Sequence, residues 1–352
     1  MNDSRKDFFR FLLTLFTVCF VFLLYVCIND PFYQYHEPWF GLPVILENAV
    51  YQTPGAARNL EYTDAIVGTS MTENFHTSWF DEELGWHTVK LSYSGARSDD
   101  LKAILASIFS RKEPVRHIFM DLNDYQLTVP AWTAYAERPK YLYDNNKLND
   151  IFYIYNRDVM AACWERILDA LQGREDNIDL AYTWEDADDF GRENVLSRAK
   201  NVRMQLINGQ PSNEPLEVKL SVCEENLDNI IPFIEENPDT EFIIYLPPYS
   251  MLYWEQVVLR DALEDTLEIY RYAIDRFLEY DNVAVYYFQN EEDIITNLDN
   301  YRDEGHHRPE YNRYIFEHIK EDKNRVTREN LGQVIQEMYE FARDYDYDAY
   351  WE

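Results

Sequence analysis

Apolar runs interrupt a polar chain, and their lengths sort them into different elements. The longest, Phe11–Ile28, carries no charge in 18 positions, and Phe8 and Phe9 extend it on the near side of Arg10. Such a run reaches the lower limit for crossing a bilayer. Arg5, Lys6 and Arg10 precede it, while Asn29-Asp30-Pro31 follow with no nearby cation. The positive-inside rule then puts the N-terminus in the cytoplasm and everything after about residue 30 outside. The run is longer than a usual signal-peptide core, and no small-x-small site follows it. The expectation is a retained single-pass anchor held in the bilayer through residues 8–28.

Shorter runs read as buried strands. They are Ala65–Gly68, His87–Ser92, Val115–Leu122, Thr240–Leu246 and Val283–Phe288. Between them, Leu101, Ile104, Leu105 and Ile108 give helical spacing over Asp99–Phe109, and a long helix is predicted over Trp254–Leu278. Strands alternating with helices predict an α/β fold, a flavodoxin-like three-layer sandwich around a mostly parallel five-stranded sheet. Residues 1–28 read as cytoplasmic N-terminus and anchor, and 29–60 as a stalk and lead-in. The main domain is expected over 61–320. Within it, the Asn/Asp-rich stretch at about 130–225, with a helical patch at Val159–Leu171, reads as an inserted cap. Residues 321–352 read as a C-terminal helix and acidic tail, with Asp344–Glu352 loosely held.

Composition narrows the classes. The formal charge of −32 excludes a nucleic-acid partner and docking by charge on an anionic membrane surface. The 28 Tyr and 8 Trp would suit a cleft for sugars, but ordinary core and rim packing is the better account of them. Outside the apolar run the cysteines are Cys163 and Cys223, a candidate disulfide or two buried thiols.

Candidate chemistry centres on Ser70, in Gly68-Thr69-Ser70 directly after the first strand. The carboxyl end of a strand is where open α/β sheets bind ligands. A serine hydroxyl there needs a general base, and that base needs an acceptor to fix its tautomer. Of seven histidines, His306 follows the last strand with Asp303 three residues before it. Acyl chemistry also needs donors for an oxyanion. The Ser70 N–H, the Gly95 N–H and the Asn123 side-chain amide stand after the first three strands, although a turn glycine and a loop cap explain the last two as well. Asp303, Glu304, His306 and His307 are permissible metal ligands but are packed too closely in sequence to converge on one ion. No cofactor is expected.

The blocks Gly-Thr-Ser, Gly95, Asn123 and Asp303-x-x-His306 resemble those of the SGNH/GDSL hydrolase superfamily. Tyr51-Gln52-Thr53-Pro54-Gly55, Ile66–Phe75, Leu91–Ala96 and Tyr245–Ser250 are similar to a membrane-anchored bacterial branch that includes the D-alanyl-lipoteichoic-acid and alginate O-acetylation proteins. The likeness spans roughly 45–320 without 130–225. It departs from the pattern at Thr69, where the superfamily has Asp, and in lacking Gly-x before Asn123. His307 also stands where the branch often has an aromatic.

The resemblance implies Ser70 as nucleophile, His306 as base and Asp303 as its orienter. Ser70, Gly95 and Asn123 would form the oxyanion hole. It implies an extracytoplasmic esterase or O-acyltransferase acting on an acylated cell-surface glycan or teichoic-type polymer, with a multipass membrane-bound O-acyltransferase as a possible partner. The competing expectation is a non-catalytic glycan-binding or scaffold protein on the same fold.

Overall fold

The computed structural model describes residues 2–131, 133, 137–144, 146–209 and 214–352. Helix α1 (Asn2–Asn29) contains the apolar run. Over Ser4–Asn29 it is long and apolar enough to cross a membrane and is almost entirely exposed.

The sheet holds six strands, not five. They are β1 (Asp64–Gly68), β2 (Thr88–Ser92), β3 (His117–Asp121), β4 (Glu241–Leu246), β5 (Val283–Tyr287) and β6 (Arg325–Val326), in the order β2-β1-β3-β4-β5-β6. The first five are parallel, and β6 pairs antiparallel with β5 through Val285 and Val326. Two residues are too few to leave a hydrophobic run, so β6 has no sequence signal.

Register places Ile66, Phe119, Ile243 and Ala284 in one row across the sheet. These residues pack with Phe75, Phe80 and Phe316, while the alternate positions Val67, Ile118, Met120, Ile244 and Val285 enter the larger core on the opposite face. Burial on both faces is why these strands read as continuous apolar runs rather than alternating ones. Lys90 breaks the row beside Ile66. It is fully buried, and its ammonium donates to the carbonyls of Glu73 (2.7 Å) and Ala181 (2.9 Å).

The segment after α1 is built into the domain rather than extended as a stalk. Helix α2 (Ala49–Asn59) packs on α4 (Ser98–Ile108), with α3 (Ser70–Glu73) between them in sequence. Gly55 is required by the close approach of the Phe32–Tyr33 backbone, since a Cβ there would sit 2.0 Å from the Phe32 carbonyl oxygen. Tyr33 is buried, and its hydroxyl bonds both the carbonyl and the N–H of Ile45 (2.9 and 2.8 Å).

Between β3 and β4 lie helices including α5 (Arg157–Gln172), Arg192–Asn208 and Leu216–Leu227. Positions 132, 134–136, 145 and 210–213 of the expected 130–225 insert lie outside the described residues. Cys163 and Cys223 are free and sit in separate buried clusters, so the candidate disulfide is not formed.

The helix expected over Trp254–Leu278 is two helices, α6 (Met251–Leu259) and α7 (Leu263–Phe277). Asp261 takes a left-handed conformation (φ 54°) at the break, and its N–H bonds the Val258 carbonyl (2.9 Å). Asp tolerates that conformation better than most residues, and apolar positions on both sides hid the interruption. Helices α8 (Glu310–Lys320) and α9 (Leu331–Asp344) follow the last long strand.

The tail is docked, not loose. Tyr350 is buried and donates to the Thr296 carbonyl (2.7 Å), while the Trp351 indole N–H reaches the Glu255 carboxylate (3.1 Å). The alternating acid-aromatic pattern hid this, because its acids face water while its rings pack. Deleting residues 345–352 is therefore expected to lower stability by about 3 kcal/mol, the scale of losing one large buried side chain. Urea denaturation checks this, with an unchanged midpoint counting against a docked tail.

Candidate active site

β1 lies between β2 and β3, so the sheet order reverses there and a crevice opens beyond the strand ends. The chain leaves β1 through Gly68, whose φ of +149° suits glycine, and a Cβ at Gly68 would fall 1.8 Å from Asp121 Oδ1. That close approach lets Asp121, at the end of β3, grip the turn. Its carboxylate accepts from the Thr69 N–H (2.9 Å) and the Thr69 hydroxyl (2.7 Å). Thr69 in turn caps α3, and Ser70 is the first residue of that helix. The carbonyl of Met71 receives hydrogen bonds from the Tyr245 hydroxyl and the Asn312 amide, both 3.0 Å, which fixes the rest of the turn.

Across the crevice, the segment after β5 carries Asp303 and His306. Ser250 holds it by donating N–H and hydroxyl to the Glu304 carbonyl (3.0 and 2.8 Å), and the Tyr301 hydroxyl donates to the Pro248 carbonyl (2.9 Å). Ser70 Oγ lies 2.7 Å from His306 Nε2. His306 Nδ1 lies 2.8 Å from Asp303 Oδ2, and Asp303 Oδ1 also accepts from the N–H groups of Gly305 and His306. The three predicted residues thus form one connected line.

His307, the alternative imidazole, is buried away from Ser70, with Nδ1 3.1 Å from the Arg308 carbonyl oxygen. Among the described residues no group of three or more His, Cys, Asp or Glu side chains is arranged to hold a metal ion.

The electrostatics follow this arrangement. Burial opposes ionisation of Asp303, but the hydrogen bond and charge of His306, with the two N–H donors, hold its carboxyl down to about 2. Burial likewise works against protonated His306, but the hydrogen bond and charge of Asp303 outweigh it, and the ring is raised above its ordinary value. Burial drives His307 the other way, to about 4.

The candidate oxyanion donors divide. Among the described residues, neither the Ser70 N–H nor the Gly95 N–H has a hydrogen-bond partner within the chain. Gly95 has φ +74°, and both residues line a cleft of about 1150 Å³ that also holds His306. Asn123 lines the same cleft, but its amide nitrogen is engaged by Thr69 Oγ1 (3.1 Å) and Asp121 Oδ2 (3.0 Å). Its side-chain oxygen caps the helix Asp124–Thr128 by accepting from Gln126 N–H (3.1 Å). It is therefore a turn-fixing residue as it stands, and reaching an oxyanion would mean releasing one of these acceptors. No family model, curated protein or solved structure matches this chain.

Three contributors escaped the sequence reading. Trp184, from the insert, donates its indole N–H to the Ser70 carbonyl (3.1 Å) and sets its ring edge-on to His306 at 5.5 Å. Asn74 holds it there by accepting from the Trp184 N–H (3.0 Å). Glu73 lines the cleft, with both carboxylate oxygens accepting from the Ser94 hydroxyl (2.9 and 3.0 Å). Burial pushes its carboxyl up to about 7, against the Ser94 hydrogen bond and the Lys90 charge. Asp121 is the third. A signal for Glu73 did exist, since it stands three positions after Ser70 and so on the same side of the turn.

Imidazole titration by NMR is expected to place His306 above 6.5 and His307 near 4, as the shifts above require. Asp303→Asn removes the charge that raises His306 and weakens the hydrogen bond to it, so its midpoint should fall. Glu73→Gln should lower it less, because that charge is a smaller contributor. A His306 midpoint unmoved by Asp303→Asn would refute the assignment of cause.

Proposed function

We propose that the protein is a serine esterase or O-acyltransferase of the SGNH/GDSL type that works through an acyl-Ser70 intermediate. The observation that carries this reading is the 2.7 Å approach of Ser70 Oγ to His306 Nε2, with Asp303 behind the imidazole. His306 takes the Ser70 proton as the hydroxyl attacks an ester carbonyl, and Asp303 holds the ring in the tautomer that leaves Nε2 free. The unpartnered N–H groups of Ser70 and Gly95, both in residues that line the cleft, are free to receive the oxyanion. His306 then returns the proton to the leaving alcohol, and the acyl group passes to water or to a sugar hydroxyl.

The strand order β2-β1-β3-β4-β5, with helices over both sheet faces, supports the flavodoxin-like three-layer reading of the fold. With α1 as a spanning anchor and the N-terminus in the cytoplasm, the domain lies outside the cell. The substrate is then an acylated envelope polysaccharide, with a multipass O-acyltransferase as the natural source of acyl groups for the transferase variant. The acidic surface accords with a partner other than nucleic acid.

A fluorophosphonate probe is expected to label the wild type and not Ser70→Ala; equal labelling of the two would refute the nucleophile. His306→Ala should slow turnover of a chromogenic ester by on the order of 10²–10⁴. Because His306 must be neutral to act, kcat/KM should rise with pH along a limb centred above 6.5, and Asp303→Asn should move that limb downward.

A further inference from the structure

Helix α1 does not part from the domain at Asn29, because part of the domain runs back along it. The Tyr155 hydroxyl donates to the Cys19 carbonyl (3.0 Å). Further along, Arg166 Nη1 donates to the Asp30 carbonyl (2.8 Å) and the Asn29 carbonyl (2.9 Å). The offset between Tyr155 and Cys19 and between Arg166 and Asp30 is 136 positions in both cases, so α5 and the turn before it run parallel to α1 and in step with it. Val26, Val159 and Cys163 between these ends, with Phe32 and Tyr153 just beyond them, share one buried cluster. At 1.5 Å per residue the contact reaches about 16 Å back along α1 from Asp30, roughly half of a ~30 Å hydrocarbon layer.

The outward surface over this stretch is apolar. Leu148, Ile151, Phe152 and Trp164 are 88%, 54%, 63% and 56% exposed. They accompany exposed Val21, Leu24 and Ile28 of α1. Within Leu148–Trp164 the charged residues are Asp150, which is buried, and Arg157 and Asp158, which pair at 3.3 Å.

We propose that Leu148–Trp164 is a second membrane contact, a foot seated in the outer leaflet beside α1 with lipid as its occupant. This rests on reading α1 as the spanning helix. Holding the domain clear of the bilayer would leave both rows of apolar side chains in water, whereas seating it asks that the Arg157–Asp158 pair and the flanking, exposed Lys147 and Glu165 reach the headgroups, which the long Arg157 and Lys147 stems allow for the cations. Trp164 lies near the level of Asn29, the depth at which tryptophan is favoured. With a formal charge of −32 the chain gains nothing from anionic headgroups, so the contact works through apolar area and is insensitive to lipid charge.

The test uses the full chain in phosphatidylcholine nanodiscs made with or without dibrominated acyl chains, which quench tryptophan on contact. The Trp164 signal is the difference between wild type and Trp164→Phe. Phe152→Trp adds a second reporter on the foot, and Phe16→Trp reports on α1 itself. Brominated lipid is expected to remove about half or more of the emission at all three positions, as for rings held at or below the headgroups. Quenching of Phe16→Trp with Trp164 and Phe152→Trp unquenched and open to iodide would overturn the foot and leave the spanning helix standing. An unquenched Phe16→Trp would overturn the spanning reading and the foot with it.

Discussion

One buried carboxylate organises the site. Asp121 sits at the end of the central strand β3 and takes both the N–H and the hydroxyl of Thr69, the residue that joins β1 to the turn bearing Ser70. A carboxylate with no solvent needs donors, and this turn supplies two of them. Burial raises the Asp121 carboxyl, so the hydrogen bonds from Thr69 and Asn123 are what make the buried acid tolerable. Gly68 is the complement of this grip, because a side chain there would occupy the space of the carboxylate. Thr69 therefore has a physical task at this position, since both of its donors are spent on Asp121.

The other half of the site comes from far along the chain, and its rigidity is also borrowed. The loop bearing His306 is tied to the end of β4 through Ser250 and Pro248, and its Arg302 pairs with Asp189 of the insert at 2.9 Å. Trp184 belongs to the same insert and touches both the Ser70 carbonyl and the His306 ring. The insert is thus a wall of the cleft rather than a detached lid. Lys90 reinforces this by donating from the sheet interior to carbonyls on both the Ser70 helix and the insert.

Ser70, Asp303 and His306 were legible because their chemistry is local to strand ends and to an Asp-x-x-His spacing. The five parallel strands were legible because each is buried on both faces. What stayed hidden depends on contacts between distant segments. Trp184 reads as one more aromatic in a polar stretch until the fold brings it against His306. Asp121 reads as a strand-end acid until register sets it beside Thr69. Asn123 shows the converse error, since a residue chosen for its amide turns out to spend that amide on the neighbouring turn. β6, the break at Asp261 and the docked tail all lack the periodicity that sequence reading relies on.

The parallel packing of α5 on α1 changes how the domain can explore its surroundings. A domain head on a flexible tether would sweep a hemisphere and take up many heights. Here the head is clamped to its own leader helix at Cys19, at Val26 and again at Asp30. The cleft consequently keeps a fixed elevation and azimuth relative to that helix.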